Sequence, residues 1–328
     1  MAKDPVYCGL FVVPDSIGDV KKRGRPPHFT PQHEMQWVRL YQQGFSITKI
    51  AKQYQAGPST VGRHLRLHIG LRDRTTASMV ASTKFPKTPF SGDDCEGAYL
   101  AGLVEDFYVR KAGRLVEMSS TTTHPAMVRL FHKTFKSYGH PTTSPGYDPV
   151  HGYYQCHLQV SLHSSFEPFL RKSDVIPDWI PRHPDDPLFE SYVSGLIAAE
   201  GCIRLYNNHG RADAVLHITL KKPALLDELS RVLRGRLYEV QRAWRLVIYG
   251  KAAAEVLRRL SIHHEERVEK ARLVVQHTGK RWSAVEPLWN KLVSDIRTEV
   301  NQYKRAARLE YIQRHGTPHP RENIGIGA

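Results

Sequence analysis

Cysteine is scarce in this chain. The 328 residues hold four, at positions 8, 95, 156 and 202, far apart and with no C-x-x-C pair. That spacing excludes a zinc ribbon and argues against a disulfide framework, so an intracellular setting (cytoplasm or nucleoid) is the expectation. Long apolar runs are missing too. None approaches the ~20 residues of a membrane-spanning helix, and the apolar stretch at residues 8–14, with Lys3 as its only upstream cation, is too short for a signal peptide. Negative charge is also in short supply: 32 Asp and Glu face 47 Lys and Arg, a net charge of +15. A surplus of that size favours a polyanionic partner, nucleic acid or an acidic membrane face. The plain alternative is a solvated basic surface.

The surplus is clustered. Between residues 21 and 74 there are eleven Lys and Arg against two acids, Glu34 and Asp73. The segment opens with KKRGRPP, in which Arg23-Gly24-Arg25-Pro26 matches the core of an AT-hook. An extended Arg-Gly-Arg strip is thin enough for a narrow A·T minor groove, whose negative potential attracts guanidinium groups. A basic linker touching phosphates is the other reading, and both point at DNA.

Three helices follow. The first spans residues 30–43, with Thr30 as N-cap, Pro31 at the first helical position and Trp37, Leu40 and Tyr41 on one face. The second covers residues 46–54, with Ile47, Ile50, Ala51 and Tyr54 inward. Gly57-Pro58-Ser59 opens the third, with Val61 and Leu65 inward and Ser59, Thr60, Arg63 and His64 outward. The stretch GFSITKIAKQYQAGPSTVGRHL (44–65) resembles the helix-turn-helix of resolvases, invertases and many repressors. That resemblance implies a third helix entering the major groove, with Ser59, Thr60, Arg63 and His64 nearest the base edges. One position departs: four residues after Ala51, where glycine is usual, stands Gln55, and Gly57 is the residue expected to absorb the strain.

Two segments further on repeat one pattern. AYLAGLVEDFYVRK (98–111) and SYVSGLIAAEGCIRL (191–205) share Tyr, two small or apolar residues, Gly-Leu, an aliphatic residue and then acid, with Gly102 and Gly195 standing 93 positions apart. Each copy is followed by strand and helix signals. After the first come a strand at 115–118, a helix at 125–135, a strand at 153–162 and a helix at 164–170. After the second come a strand at 217–220, a helix at 224–233, a hairpin from 237–240 and 245–249, and a helix at 252–260. The chain therefore divides into a basic arm (1–28), a small all-α domain (29–74), a linker (75–93), two similar subdomains (94–183 and 184–278) and a C-terminal helix and tail (279–328).

Over residues 94–278 this arrangement resembles the LAGLIDADG homing-endonuclease family, most closely at VSGLIAAEG (193–201). The resemblance implies an α+β fold of two tandem αββαββα subdomains, behind the all-α helix-turn-helix domain, acting as a monomer with internal pseudo-twofold symmetry. It implies motif helices that pack together through Ala101, Gly102, Ser194, Gly195 and Ala198, with two sheets forming a saddle over double-stranded DNA. The acid ending each helix then lies at the interface, where paired carboxylates hold Mg²⁺ or another divalent cation. Glu200 is the ligand of the second half. Gln241, Arg242 and Arg245 are the residues of the second half that the family pattern would use to activate water and stabilise the transition state, and Arg110 and Arg204 would contact phosphate.

The first half is less regular. Counting from Leu100, the residue matching Glu200 is Phe107, which cannot bind metal, and Asp106 lies one place earlier. If the helix end has lost one residue, Asp106 reaches the shared site. If it has not, that half lacks a ligand, and Glu105 and Asp106 are solvated residues at a helix end. The expectation is a sequence-specific, metal-dependent DNA endonuclease with Glu200 and Asp106 as its metal ligands. The alternative is a DNA-binding transcriptional regulator on the same fold without catalysis. An RNA maturase is compatible with the charge and has no positive feature.

Overall fold

The computed structural model describes residues 29–42, 45–72, 85, 87–112 and 115–320. The chain forms two compact units, Met1–Ala77 and Ser78–Ala328. The basic arm with Arg23 and Arg25 lies outside the described residues.

The first unit contains α1 (Pro31–Gln42), α2 (Ile47–Gln53) and α3 (Pro58–His68). Trp37, Val38, Tyr41, Ile50, Ala51, Val61 and Leu65 make its core, with Val38 rather than Leu40 completing the inward face of α1. Ser46 caps α2, its Oγ accepting the Lys49 amide at 3.2 Å. Gln55 itself takes the left-handed conformation at φ +53°, whereas Gly57 is extended at φ −73°. The expected role of Gly57 is thereby corrected. A glutamine bears a small steric penalty at the turn, and Gly57 serves instead as the open N-cap of α3.

The second unit opens with α4 (Asp94–Leu103), which tightens into a 3₁₀ turn (Val104–Asp106). Strands β1 (Tyr108–Ala112) and β2 (Leu115–Thr122), helix α5 (Pro125–Phe135), and strands β3 (Thr142–Asp148) and β4 (Tyr153–His163) complete the first half. The expected helix at 164–170 is only a 3₁₀ turn at Ser164–Phe166. The second half runs α6 (Pro187–Glu200), β5 (Gly201–Asn208), β6 (Arg211–Leu220), α7 (Pro223–Leu233), β7 (Arg236–Val240), β8 (Ala243–Tyr249) and α8 (Gly250–Arg259). Helices α9 (Glu265–His277) and α10 (Trp282–His315) follow.

The two sheets are antiparallel and have matching orders, β1-β2-β4-β3 and β5-β6-β8-β7. The fold is α+β, two αββαββα-like halves in tandem. Alternation along β6, from Ala212 through Ala214, Leu216 and Ile218 to Leu220, turns one face of the second sheet inward against α7 and α8 and leaves the other open. In β4 the inward set is Tyr154, Cys156, Leu158, Val160 and Leu162.

Beyond their acidic first turns, α4 from Gly97 to Leu103 and α6 from Tyr192 to Ala199 are buried on every side, as helices at the centre of a molecule are. They cross backbone to backbone. A Cβ on Gly102 would overlap the Tyr192 carbonyl and lie 2.6 Å from Leu196 N, and one on Gly195 would overlap the Tyr99 carbonyl and lie 2.9 Å from Leu103 N. Each approach is the other's twofold image. Side chains are excluded there, which explains the glycine shared by the two repeats.

Candidate active site at the ends of the crossing helices

The two repeats end differently. From Leu196, four α-helical residues advance ~6 Å to Glu200. From Leu103, its symmetry partner, three residues of 3₁₀ helix at ~2.0 Å each advance the same ~6 Å and arrive at Asp106. By that arithmetic the tighter turn makes up for the missing residue, so that each motif helix is followed or closed by an acid after the same rise. Phe107 turns away. It is buried against Phe131 at a centroid distance of 5.6 Å, in the core of its own half.

Asp106 feels the charge of Glu200. Burial, and then that charge, push the Asp106 carboxyl up to about 7. Glu200 is raised as well, mainly by burial and also by the charge of Glu105, while Arg267 and Lys172 oppose the rise. Those two cations are related by the same pseudo-twofold. Lys172 Nζ donates to the Glu105 carbonyl at 2.8 Å, and Arg267 Nη2 donates to the Ala199 carbonyl at 2.9 Å. Each therefore caps the last turn of one motif helix, where free carbonyls attract positive charge. Arg267 Nη1 is buried without a hydrogen-bond partner among the described residues.

Glu105 is not a solvated residue at a helix end. It is buried in an ion pair with Lys222 Nζ at 2.8 Å, and Lys222 also donates to the Ser173 carbonyl. Across the pseudo-twofold, His124 at the N-terminus of α5 meets Glu266 at 2.8 Å. Together with His264, these α9 and α5 residues line a cavity of about 240 Å³ that Asp106 and Arg267 also face, space for several waters at ~30 Å³ each. Asp106 borders a second, open groove over the first sheet, lined by Ser119, Thr121, Ser144, His157 and Gln159.

Gln241 and Arg242 form the exposed two-residue turn between β7 and β8, Gln241 at φ +53°, and are not on a strand. The cations whose charge acts on both acids are Arg267 and Lys172, and His124 acts on Asp106 as well. Neither Arg267 nor Lys172 was legible in the sequence, because each stands far from the motif in the chain and in no recurring pattern. Arg245 is on β8, its Nε bonded to Thr219 Oγ1 at 3.1 Å, and Arg204 is on the open face of β5. Arg110 is paired with Glu117 at 2.6 Å.

In the helix-turn-helix, Ser59 and Arg63 are exposed and Thr60 is half-buried. His64 is turned inward. Its Nδ1 lies 2.9 Å from Glu34 and its ring meets Trp37 edge-on at 5.9 Å. Arg66 and Leu67, the latter 75% exposed, occupy the outer face of α3 instead.

Residues 24–66 match a family model described as the helix-turn-helix domain of resolvase. No curated protein matches the sequence. The structural neighbours include homing endonucleases and other proteins with a LAGLIDADG domain. One is the homing endonuclease I-WcaI bound to its DNA recognition sequence, at 13% identity and a TM-score of 0.40, over 58% of this chain and 90% of that one. Another is the LAGLIDADG meganuclease I-AabMI bound to uncleaved DNA, at 11% identity and 0.36, over 64% and 98%. A third is the N-terminal LAGLIDADG domain of WhiA, at 17% identity and 0.35, over 55% and 89%. No helix among the described residues is long and apolar enough to cross a membrane.

Proposed function

We propose that the chain is a sequence-specific, metal-dependent DNA endonuclease of the LAGLIDADG homing type, carrying a helix-turn-helix as a second DNA-binding module. The observation that supports this best is that Asp106 closes the 3₁₀ turn after one motif helix, as Glu200 closes the other, and that the charge of Glu200 reaches it. Two half-buried carboxylates, the charge of one raising the proton affinity of the other, make a donor set for a hard cation. Among the described residues there is no group of three or more His, Cys, Asp or Glu arranged for a metal, so a two-acid site would draw its remaining oxygens from water and the bound phosphate.

In this reading Asp106 and Glu200 would hold Mg²⁺ or another divalent cation, which would supply charge neutralisation at the oxygens of the phosphodiester. The protein's own part is electrostatic. Arg267 and Lys172 counter the effect of burial and favour the ionised acids, and Arg267 Nη1 offers a free donor beside them. Two antiparallel sheets of matching order and a net charge of +15 suit a DNA partner, within one chain that carries both halves of the site.

One observation favours the alternative, a regulator that binds DNA without cutting it. Arg267 is a built-in counter-ion to both acids, and such a cation makes the pair tolerable without metal. A single experiment separates the two readings. Duplex DNA carrying the joined flanks of the gene's insertion point is incubated with Mg²⁺ and wild type, Glu200→Gln or Asp106→Asn. The nuclease reading expects cleavage by wild type and binding without cleavage by either variant. Binding by wild type with no cleavage in Mg²⁺ or Mn²⁺ establishes the regulator.

A further inference from the structure

The two open sheet faces, alike in topology, are unlike in chemistry. On the second, cross-strand register places Arg204, Arg211, Arg236 and Arg245 on one surface, through Arg204↔Val215, Arg236↔Val247 and Thr219↔Arg245. The only acid among them is Asp213, already occupied by the Tyr206 hydroxyl and the Asn208 amide, each at 3.0 Å. Among the described residues, none of the four arginines has a carboxylate partner. Their field converges: His217, between them, is pushed down to about 4 by burial, then by Arg245 and Arg204.

The matching face of the first sheet carries one arginine, Arg110, and its charge is neutralised by Glu117 across the register Arg110↔Glu117. Tyr108 lies beside Ser119, and Asp148, at the far edge, is paired with His151; between them the groups are mostly uncharged. Ser119 stands opposite Gln159, Thr121 opposite His157, and Ser144 opposite His157 on the far side. These line the open groove that begins at Asp106. Either kind of group can meet a base edge or a phosphate, so the difference that counts is charge: among the described residues the second face offers four unpaired cations for the backbone, whereas the first offers mainly uncharged donors and acceptors, which gain little from phosphates and more from base edges.

We propose that the two halves divide the work of DNA recognition. The second sheet holds the backbone of its half-site through Arg204, Arg211, Arg236 and Arg245, and the first sheet reads bases in the other half-site through Ser119, Thr121, Ser144 and Gln159. The ligand is a B-form duplex whose two half-sites differ in information content, one restrictive and one permissive. This rests on the DNA-binding reading above and adds to it which half specifies and which half grips.

The test is selection of binders from a randomised duplex library with the full chain, without divalent cation, followed by affinity measurements across salt. Wild type is expected to select a site with strong base preference in one half and weak preference in the other. Arg236→Gln with Arg245→Gln is expected to weaken all duplexes alike and to lower the slope of log affinity against log salt by about 1.8, at ~0.9 for each phosphate no longer neutralised. The Arg→Lys pair at the same positions keeps the charge and is expected to keep the slope. Thr121→Ala with Gln159→Ala is expected to flatten the restrictive half and leave the salt slope unchanged. All six substitutions are on the sheet surface, and thermal melting verifies each fold. If the Gln pair at 236 and 245 erases base preference, the arginines are reading guanine and the proposal is overturned. Equal preference in both half-sites of wild type overturns it as well. Absence of any enriched duplex, with no salt-dependent binding at all, is a different failure, that of the DNA-binding reading itself.

Discussion

His264 is 3% exposed, faces the cavity beside Asp106, and its Nδ1 has no hydrogen-bond partner among the described residues. Burial first, and then the charge of Arg267, push it down to about 3. The unfolded chain protonates the same imidazole near pH ~6.5. Between those values the unfolded state binds the extra proton, so stability falls as pH is lowered through the window and levels off below it. At ~1.4 kcal/mol per pH unit the ceiling is about 4 kcal/mol by pH 3.5. His264→Gln keeps a polar side chain of similar size that cannot titrate. Denaturant unfolding at several pH values is expected to give wild type a downward slope from neutrality to pH 4 that the variant lacks in part. Identical slopes would show that His264 is charged in the folded protein. Asp106 acts with the opposite sign: its raised affinity for a proton favours the folded state at low pH, so the difference between wild type and variant, rather than either curve alone, carries the answer.

At the scale of elements, the 3₁₀ turn decides where Asp106 goes, and the Glu105–Lys222 pair holds that turn. Glu105 reaches from the end of α4 to the start of α7, in the other half, and both side chains are largely out of water. A buried pair contributes little net stability, but breaking it leaves a buried charge. Glu105→Ala is therefore expected to lower the unfolding free energy by about 3–5 kcal/mol, and Glu105→Leu with Lys222→Met to recover most of it. Equal losses in the single and double variants would show that the pair is not what matters.

The same turn marks the limit of what the sequence discloses. The helix-turn-helix was legible because caps, Pro58 and the inward spacing of Ile50, Ala51, Val61 and Leu65 are local signals. The crossing of α4 and α6 was legible because Gly102 and Gly195 recur in a repeat. Asp106 was left open because residue counting assumes one helical pitch, and a change from α to 3₁₀ leaves no mark in composition. Arg267 and Lys172 reach the site through tertiary packing alone. His64 has a partner that its spacing on α3 could not disclose, because Glu34 is on another helix.

For the whole molecule, the proposed function gives the chain two DNA-binding units, the paired sheets and the helix-turn-helix, and their linkage has a measurable consequence. The three helices around Trp37 form a separate compact core, joined to the larger unit by one segment of chain. If both units bind the same duplex, the second encounter is intramolecular, and the gain depends on the local concentration the connection imposes. Such linkage raises overall affinity by ~10²–10⁴ with no added interaction in either unit. Removing residues 1–77 should therefore weaken binding to a long selected duplex by a factor in that range. Affinity for a duplex trimmed to the saddle's footprint should remain, because Asp106, Glu200, Arg267 and both sheets lie outside the deletion. Arg63→Ala in the full chain should reproduce part of the loss, about 1–3 kcal/mol if it reads a base. Equal affinities of full chain and deletion on the long duplex would mean that the helix-turn-helix serves another site or another molecule. The two-module account of recognition would then be wrong, whatever the saddle does by itself.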